Sequence, residues 1–168
     1  MKKIKIIEYN HKYAEAVAEM WQNSNEGWLG ETFLTSAQDV ITDEENSIHL
    51  KAWLAMAGEL VVGYCNLYEY QEDTGALYIG LLNVRDDYHG KKIGKKLVLT
   101  AVQKTIELGW DRLDLYTWSG NTKAVPLYKK TGFFWEDRDD STHLINLIPS
   151  ALKNELIKDY FTEINWYE

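Results

Sequence analysis

The residues best suited to chemistry lie in a short polar turn that follows an apolar run ending at Val84. The turn contains Gly90 and Gly94, an amphipathic pattern typical of a helix begins in it, and four lysines flank it: Lys91, Lys92, Lys95 and Lys96. The N–H groups and the positive dipole end at a helix N-terminus suit an anion such as a pyrophosphate. The pattern predicts a phosphate-binding turn, although a glycine-capped helix start with solvated lysines would give the same pattern.

Composition excludes several functional classes. The chain has 168 residues, 45% of them hydrophobic, and a net charge of -8, which fits one globular domain and argues against nucleic-acid or anionic membrane partners. Cys65 is the only cysteine, so an internal disulfide is excluded, a zinc site is disfavoured and a reducing, cytoplasmic setting is expected. The N-terminus MKKIKIIEYN has no signal-peptide pattern, and no stretch reaches the length of a membrane span.

Hydrophobic periodicity predicts the order of the elements. The predicted elements are, in order, Lys3–Glu8, His11–Gln22, Ser36–Glu45, Lys51–Ala55, Leu60–Tyr70, Gly75–Val84, Lys92–Leu108, Arg112–Trp118, Thr122–Lys130, Phe133–Arg138, His143–Ile148 and Ala151–Tyr160. The predicted helices are His11–Gln22, Ser36–Glu45, Lys92–Leu108, Thr122–Lys130 and Ala151–Tyr160, and the other segments are strands. This order predicts an α/β fold in which helices cover both faces of an open sheet, and the antiparallel hairpins make that sheet mixed.

Two motifs within this order resemble those of the GNAT N-acetyltransferase superfamily. His89-Gly90-Lys91-Lys92-Ile93-Gly94 lies where the family has Arg/Gln-x-x-Gly-x-Gly/Ala, and the stretch from Asn121 to Phe133 matches Asn-x-x-Ala-x-x-Leu-Tyr-x-x-x-Gly-Phe. The first motif departs from the family at His89 and at Lys92, which replaces a glycine. Because the loop holds phosphate mainly through backbone N–H groups, neither change forbids binding, but a lysine resists a positive φ.

The resemblance implies the GNAT acyl-CoA N-acyltransferase fold, an α+β arrangement around a central mixed, mostly antiparallel sheet with helices on both faces. It assigns residues 1–148 to the acetyltransferase domain and leaves residues 149–168 as a helical tail. We expect the tail to dock on the domain; a homodimer contact and a continuation into a longer chain are the alternatives.

The resemblance also implies acetyl-CoA as co-substrate. The turn would hold the pyrophosphate, the end of the fourth strand would pair with the pantetheine arm, and Tyr128 would protonate the departing thiolate. Asn121 would contact the cofactor and could also cap a helix. The residues implied to bind it are Leu82, Asn83, Val84, His89, Gly90, Lys91, Lys92, Ile93, Gly94, Lys95, Asn121 and Tyr128.

The general base remains open. Many relatives use a glutamate on the fourth or fifth strand, but the fourth strand here has no acid and the fifth-strand position holds Tyr116. Asp114 shares a face with Tyr116, so both are candidates. Glu26 and Glu31 in the early loop and a water chain are the other possibilities. An early loop lies where relatives bind the acceptor, and its aromatic and acidic residues are the candidate substrate contacts: Glu26, Trp28, Glu31 and Phe33.

The resemblance predicts an N-acetyltransferase that uses acetyl-CoA and no metal. A primary amine of a small molecule or peptide would attack the thioester directly in a ternary complex. Two alternatives remain, a catalytically weak or inactive acyl-CoA-binding or regulatory module and the N-terminal piece of a larger acetyltransferase.

Overall fold

The computed structural model describes residues 3–24, 36–118, 124–138 and 141–147. In this part of the chain it has seven strands and four α-helices, and their order is the predicted one. The elements are β1 Ile4–Glu8, α1 Ala14–Gln22, α2 Ala37–Asn46, β2 Lys51–Ala57, β3 Leu60–Glu69, β4 Leu77–Val84, α3 Ile93–Glu107, β5 Arg112–Trp118, α4 Ala124–Lys130, β6 Phe134–Arg138 and β7 Ser141–Leu147. The predicted helix Ala151–Tyr160 and the rest of the tail lie outside the described residues.

The strands form one mixed sheet in the order β1-β2-β3-β4-β5-β7-β6. β4 and β5 pair in parallel, because a helix, α3, carries the chain back between them. The pairs β1–β2, β5–β7 and β6–β7 are antiparallel. The sheet is mixed, as expected from the sequence, and three of these four pairings are antiparallel.

Two compact units make up the chain, residues 1–66 with 81–97 and residues 67–80 with 98–168. In the first unit, α1 buries Met20 and Trp21 in a core shared with Leu54 of β2. In the second unit, Leu113 and Leu115 of β5 are fully or almost fully buried, as is Leu144 of β7. None of the described helices combines the length and the apolar character that crossing a membrane requires.

The helix ends follow from local side-chain chemistry. Ser36 caps α2 by accepting a hydrogen bond from the Asp39 N–H, while the Asp39 side chain accepts one from the Ser36 N–H; this reciprocal box satisfies two donors that the helix leaves unpaired. Gly109, the predicted stop of α3, has φ +84°, and its N–H bonds to the Ile106 carbonyl. A glycine is favoured there because the left-handed conformation costs it little.

A glycine in β3 lets α3 approach the sheet closely. A Cβ atom at Gly63 would lie 2.8 Å from Leu97 Cδ1, 3.1 Å from Ile93 Cγ2 and 3.2 Å from Ala55 Cβ. All three neighbours are buried, so they have little room to move. Gly63 therefore sets the distance between β3 and the first turns of α3.

We predict that Gly63→Ala lowers the free energy of unfolding by about 1–3 kcal/mol, because the added methyl group overpacks a dense core. Urea denaturation followed by circular dichroism measures the change. Leu97→Ala provides the matched partner in a double-mutant cycle, since it removes the atom nearest the new methyl group. The double variant should lose less stability than the sum of the single variants; strict additivity would contradict this packing account.

Candidate functional site

The turn between β4 and α3 contains two residues in the left-handed region. Gly90 has φ +79° and Lys92 has φ +63°, and Lys92 is the one non-glycine with positive φ in the described part of the chain. A Cβ at Gly90 would meet nothing within 4 Å, so its conformation rather than lack of space favours glycine there. The prediction that Lys92 occupies a position suited to glycine agrees with its φ.

Two hydrogen bonds within the first unit hold this turn at the end of β4. His89 Nε2–H donates to the Val84 carbonyl at 2.9 Å, which ties the turn back to the end of β4. The Arg85 N–H donates to the Val62 carbonyl on β3 at 2.9 Å. These two hydrogen bonds fix the turn against β3 and β4. The sequence alone did not indicate that the His89 side chain would make one of them.

The N-terminus of α3 opens directly from the turn. The Lys96 N–H bonds to the Lys92 carbonyl at 3.1 Å, so the N–H groups of the first turn of the helix have no acceptor within the helix itself. These groups and the helix dipole favour an anion at this end.

The lysines that flank the turn have different surroundings. The Lys91 ammonium lies 4.6 Å from the centroid of the Tyr88 ring, a cation–π distance. Lys95 is buried, whereas Lys91 and Lys92 are exposed. The alternative of a uniformly solvated lysine face therefore does not describe this helix start.

The strand segment implied to pair with pantetheine is Leu82–Val84, at the end of β4 in the first unit. Leu82 and Val84 are partly buried, and Asn83 is only 6% exposed. The side-chain nitrogen of Asn83 is buried and has no hydrogen-bond partner among the described residues. A buried polar group without a hydrogen-bond partner destabilises the folded state. This distinguishes Asn83 from Leu82 and Val84, whose side chains are apolar.

Tyr128 is held by the way α4 ends. Gly132 has φ +90°, its N–H bonds to the Lys129 carbonyl, and the Phe133 N–H bonds to the Tyr128 carbonyl. This is a Schellman motif, which commonly brings an apolar contact between the residues at its two ends. The Tyr128 and Phe133 rings make that contact, with centroids 6.1 Å apart. The spacing Tyr-x-x-x-Gly-Phe thus has a structural basis in this chain.

Asp114 belongs to a buried charged group in the second unit. Arg112 makes a bidentate pair with it, with bonds of 2.8 and 2.7 Å, and also reaches Asp73 at 2.8 Å. His143 Nε2 lies 2.9 Å from the second Asp114 carboxylate oxygen, and both residues are 0% exposed. Both carboxylate oxygens of Asp114 are thus engaged, which supports a structural role; its role as a base remains a prediction.

Tyr116 contacts the same group through its ring. It stacks on His143 with centroids 4.4 Å apart and planes at 9°, because the two residues are partners in the β5–β7 register. Its hydroxyl shares a hydrogen bond with that of Tyr70, and the Tyr70 ring stacks on Tyr78 at 5.4 Å. Burial, with smaller contributions from neighbouring tyrosines, raises the pKa of Tyr78.

The tyrosine rings of this group contact one another. Tyr116 lies 6.1 Å from Tyr70 and 6.0 Å from Tyr78, centroid to centroid. These are ordinary contact distances for aromatic pairs.

Cys65 is fully buried in β3. Burial raises the pKa of its thiol, because the thiolate would lose its hydration. A buried thiol whose ionisation is disfavoured is poorly suited to act as a nucleophile.

Other candidate residues lie outside the described part of the chain, namely Asn121, Glu26, Trp28, Glu31 and Phe33. Among the described residues, no group of three or more His, Cys, Asp or Glu side chains could hold a metal ion. Sequence reasoning did not single out Arg112 or His143. Their contacts depend on strand register, and the sequence signal for them was at most a charged or polar residue within an apolar strand.

Comparison with known proteins identifies the class. The profile of the acetyltransferase (GNAT) family matches residues 14–133, and the chain belongs to this family. It is 30% identical over 82 residues to the mycothiol acetyltransferase of Corynebacterium aurimucosum, an alignment that covers 47% of this chain and 26% of that protein. The chain thus matches about a quarter of the length of that relative.

Solved structures share the fold. A GNAT acetyltransferase from Staphylococcus aureus aligns with a TM-score of 0.70 and 25% identity, covering 88% of this chain and 100% of that one. The PaiA N-acetyltransferase of Thermoplasma acidophilum, crystallised in complex with coenzyme A, aligns with a TM-score of 0.69 and 21% identity, covering 86% and 99%.

We predict that Lys92→Gly raises the free energy of unfolding by roughly 0.5–1 kcal/mol, because glycine adopts the left-handed conformation without the steric cost that lysine has there. Chemical denaturation measures the difference. Lys91→Gly is the matched control, since Lys91 does not have a positive φ and gains nothing from the replacement. The account fails if Lys92→Gly is no more stable than Lys91→Gly.

Proposed function

We propose that this chain is an acetyl-CoA-dependent N-acetyltransferase that transfers an acetyl group to a primary amine by direct attack in a ternary complex. The observation that carries the proposal is the turn from β4 into α3, with left-handed Gly90 and Lys92 directly ahead of the helix N-terminus. Family membership, through the match to residues 14–133, supports acetyl-CoA as the ligand of this turn.

The turn would bind the cofactor's pyrophosphate through backbone N–H groups of residues 90–95. The helix dipole favours the negative charge, and the ammonium groups of the exposed Lys91 and Lys92 would add attraction at the surface. The His89 bond to the Val84 carbonyl supports this geometry, because it keeps the turn folded back on the strand.

The end of β4 would hold the pantetheine arm of the same molecule. Residues Leu82–Val84 would pair with it as an added strand does, and a backbone N–H of the strand would polarise the thioester carbonyl. The amine nitrogen would then form a bond to the carbonyl carbon while the bond to sulfur breaks.

Tyr128 would give its phenolic proton to the departing sulfur. The Schellman motif supports this role because it fixes the ring through its contact with Phe133. The base that removes the amine proton remains a choice between Tyr116, Asp114, Glu26, Glu31 and water. Of the two described residues, Tyr116 is favoured over Asp114, because the Asp114 carboxylate is fully buried and engaged by Arg112 and His143.

We predict that acetyl-CoA and coenzyme A stabilise the protein whereas ATP does not. A ligand at a hundred times its dissociation constant stabilises the folded state by about 2.7 kcal/mol, which raises the Tm of a domain of this size by roughly 5–10 °C. Differential scanning fluorimetry measures the shift. An equal shift with ATP would mean a general phosphate site, and no shift with either coenzyme A form would overturn the cofactor assignment.

We predict that Tyr128→Phe lowers kcat about 10²-fold, the lower end of the usual contribution of a general acid, and leaves the acetyl-CoA dissociation constant unchanged. The phenylalanine ring keeps the contact with Phe133, so the fold is retained. Release of coenzyme A during acetylation of a panel of primary amines measures turnover. Tyr13→Phe, in the first unit, is the hydroxyl-deletion control.

The same assay separates the two functional alternatives. Acetyl transfer to any amine above background supports the enzyme, whereas cofactor binding without transfer across the panel indicates an acyl-CoA-binding module. Unchanged kcat in Tyr128→Phe would remove Tyr128 from the reaction while leaving the cofactor site standing.

A further inference from the structure

A chain of hydrogen bonds in the first unit runs from α2 into β3. The Tyr64 hydroxyl donates to Glu44 Oε1 at 2.5 Å, and the Asn66 side-chain NH₂ donates to the Tyr64 oxygen at 3.3 Å. The other carboxylate oxygen of Glu44 lies 3.0 Å from His49 Nε2, and the Glu44 side chain is only 7% exposed. The chain of hydrogen bonds therefore ends at the buried Glu44 carboxylate, which anchors it.

The order of donors fixes the orientation of the Asn66 amide. A carboxylate only accepts hydrogen bonds, so Tyr64 must donate to Glu44 and its oxygen then accepts from Asn66. The amide must therefore present its nitrogen to Tyr64 and direct its oxygen elsewhere. That oxygen is buried and has no hydrogen-bond partner among the described residues, and Asn66 as a whole is 5% exposed.

Asn83 presents the complementary group on the neighbouring strand. Its side-chain nitrogen is buried and has no partner among the described residues. β3 and β4 are adjacent in the sheet. Tyr64 of β3 and Leu81 of β4 both pack in the core that α1 shares with Leu54 of β2. Since residues two apart on a strand share a face, Asn66 and Asn83 lie on the face of the sheet that carries α1.

We propose that Asn66 and Asn83 recognise the acceptor substrate, with the Asn66 oxygen accepting from the amine and the Asn83 NH₂ donating to an oxygen close to that amine. The inference rests on the proposed N-acetyltransferase function. An unmet acceptor and an unmet donor on one face suit a ligand that offers both a donor and an acceptor. The chemical class is a primary amine with a nearby hydroxyl or carbonyl oxygen, as in amino alcohols, amino sugars and amino amides; simple alkylamines and polyamines lack the second group.

Ethanolamine and propylamine are a matched pair of probes, because they have the same size and differ in one hydroxyl group. Wild-type protein should have a kcat/KM for ethanolamine about tenfold above that for propylamine, the effect of one hydrogen bond to a buried group. Asn83→Leu should abolish this preference, and Asn66→Leu should raise KM for both amines. Asn66→Leu, which lies outside the proposed cofactor segment, should not change the thermal shift caused by coenzyme A. Asn46→Leu, at the exposed end of α2, is the control and should behave as wild type.

Binding is measured independently of turnover on the wild-type protein. The side-chain NH₂ resonances of Asn66 and Asn83, assigned from their loss in the leucine variants, are followed by ¹⁵N NMR during titration with each amine in the presence of coenzyme A. Ethanolamine should shift both resonances, and propylamine should shift that of Asn83 much less. This measurement does not depend on the leucine variants being active.

The outcomes separate the inference from the proposed function. Shifts with ethanolamine but no acetyl transfer would uphold the recognition site and overturn the enzyme. Acetyl transfer with no shifts, no preference between the amines and unchanged KM in Asn66→Leu would overturn the recognition site and leave the enzyme standing. That second result would mean that the two asparagines have only a structural role.

Discussion

The close approach of α3 to β3 at Gly63 is the contact on which the first unit's candidate site depends. Ile93 and Leu97, one turn apart on α3, both pack over the backbone where a side chain would otherwise project. Because Ile93 is also the first residue of the helix, the contact that packs the helix also fixes where its N-terminus opens. The two left-handed residues, Gly90 and Lys92, lie in the turn that leads from β4 into this helix.

Local signals in the sequence were sufficient for the elements and for much of the turn. Alternation and helical periodicity predicted the order of the described strands and helices, and glycine marked the ends of α3 and α4. Lys92 was expected to occupy a position that suits glycine, and its φ of +63° agrees. The sequence already showed that Tyr128, Gly132 and Phe133 match the family motif. The hydrogen bonds at the end of α4 give the physical reason for that spacing.

What could not be predicted depends on register between distant strands. His143 and Asp114 are 29 positions apart, and they meet because β5 and β7 pair with Tyr116 opposite His143. A shift of one residue would turn each of these side chains to the other face. The direction of the Asn66 amide is equally inaccessible, because it follows from a carboxylate on α2 that is distant in sequence. The contacts of such side chains are determined by which strands and helices the fold brings together.

The burial of Cys65 has a practical consequence for spectroscopy. The chain has one cysteine, and that thiol lies fully inside β3 with its ionisation suppressed. A second cysteine introduced at any exposed position would therefore react alone with a maleimide dye under native conditions. The protein can carry a single fluorophore at a chosen site, for instance beside the turn before α3, without prior removal of its natural cysteine.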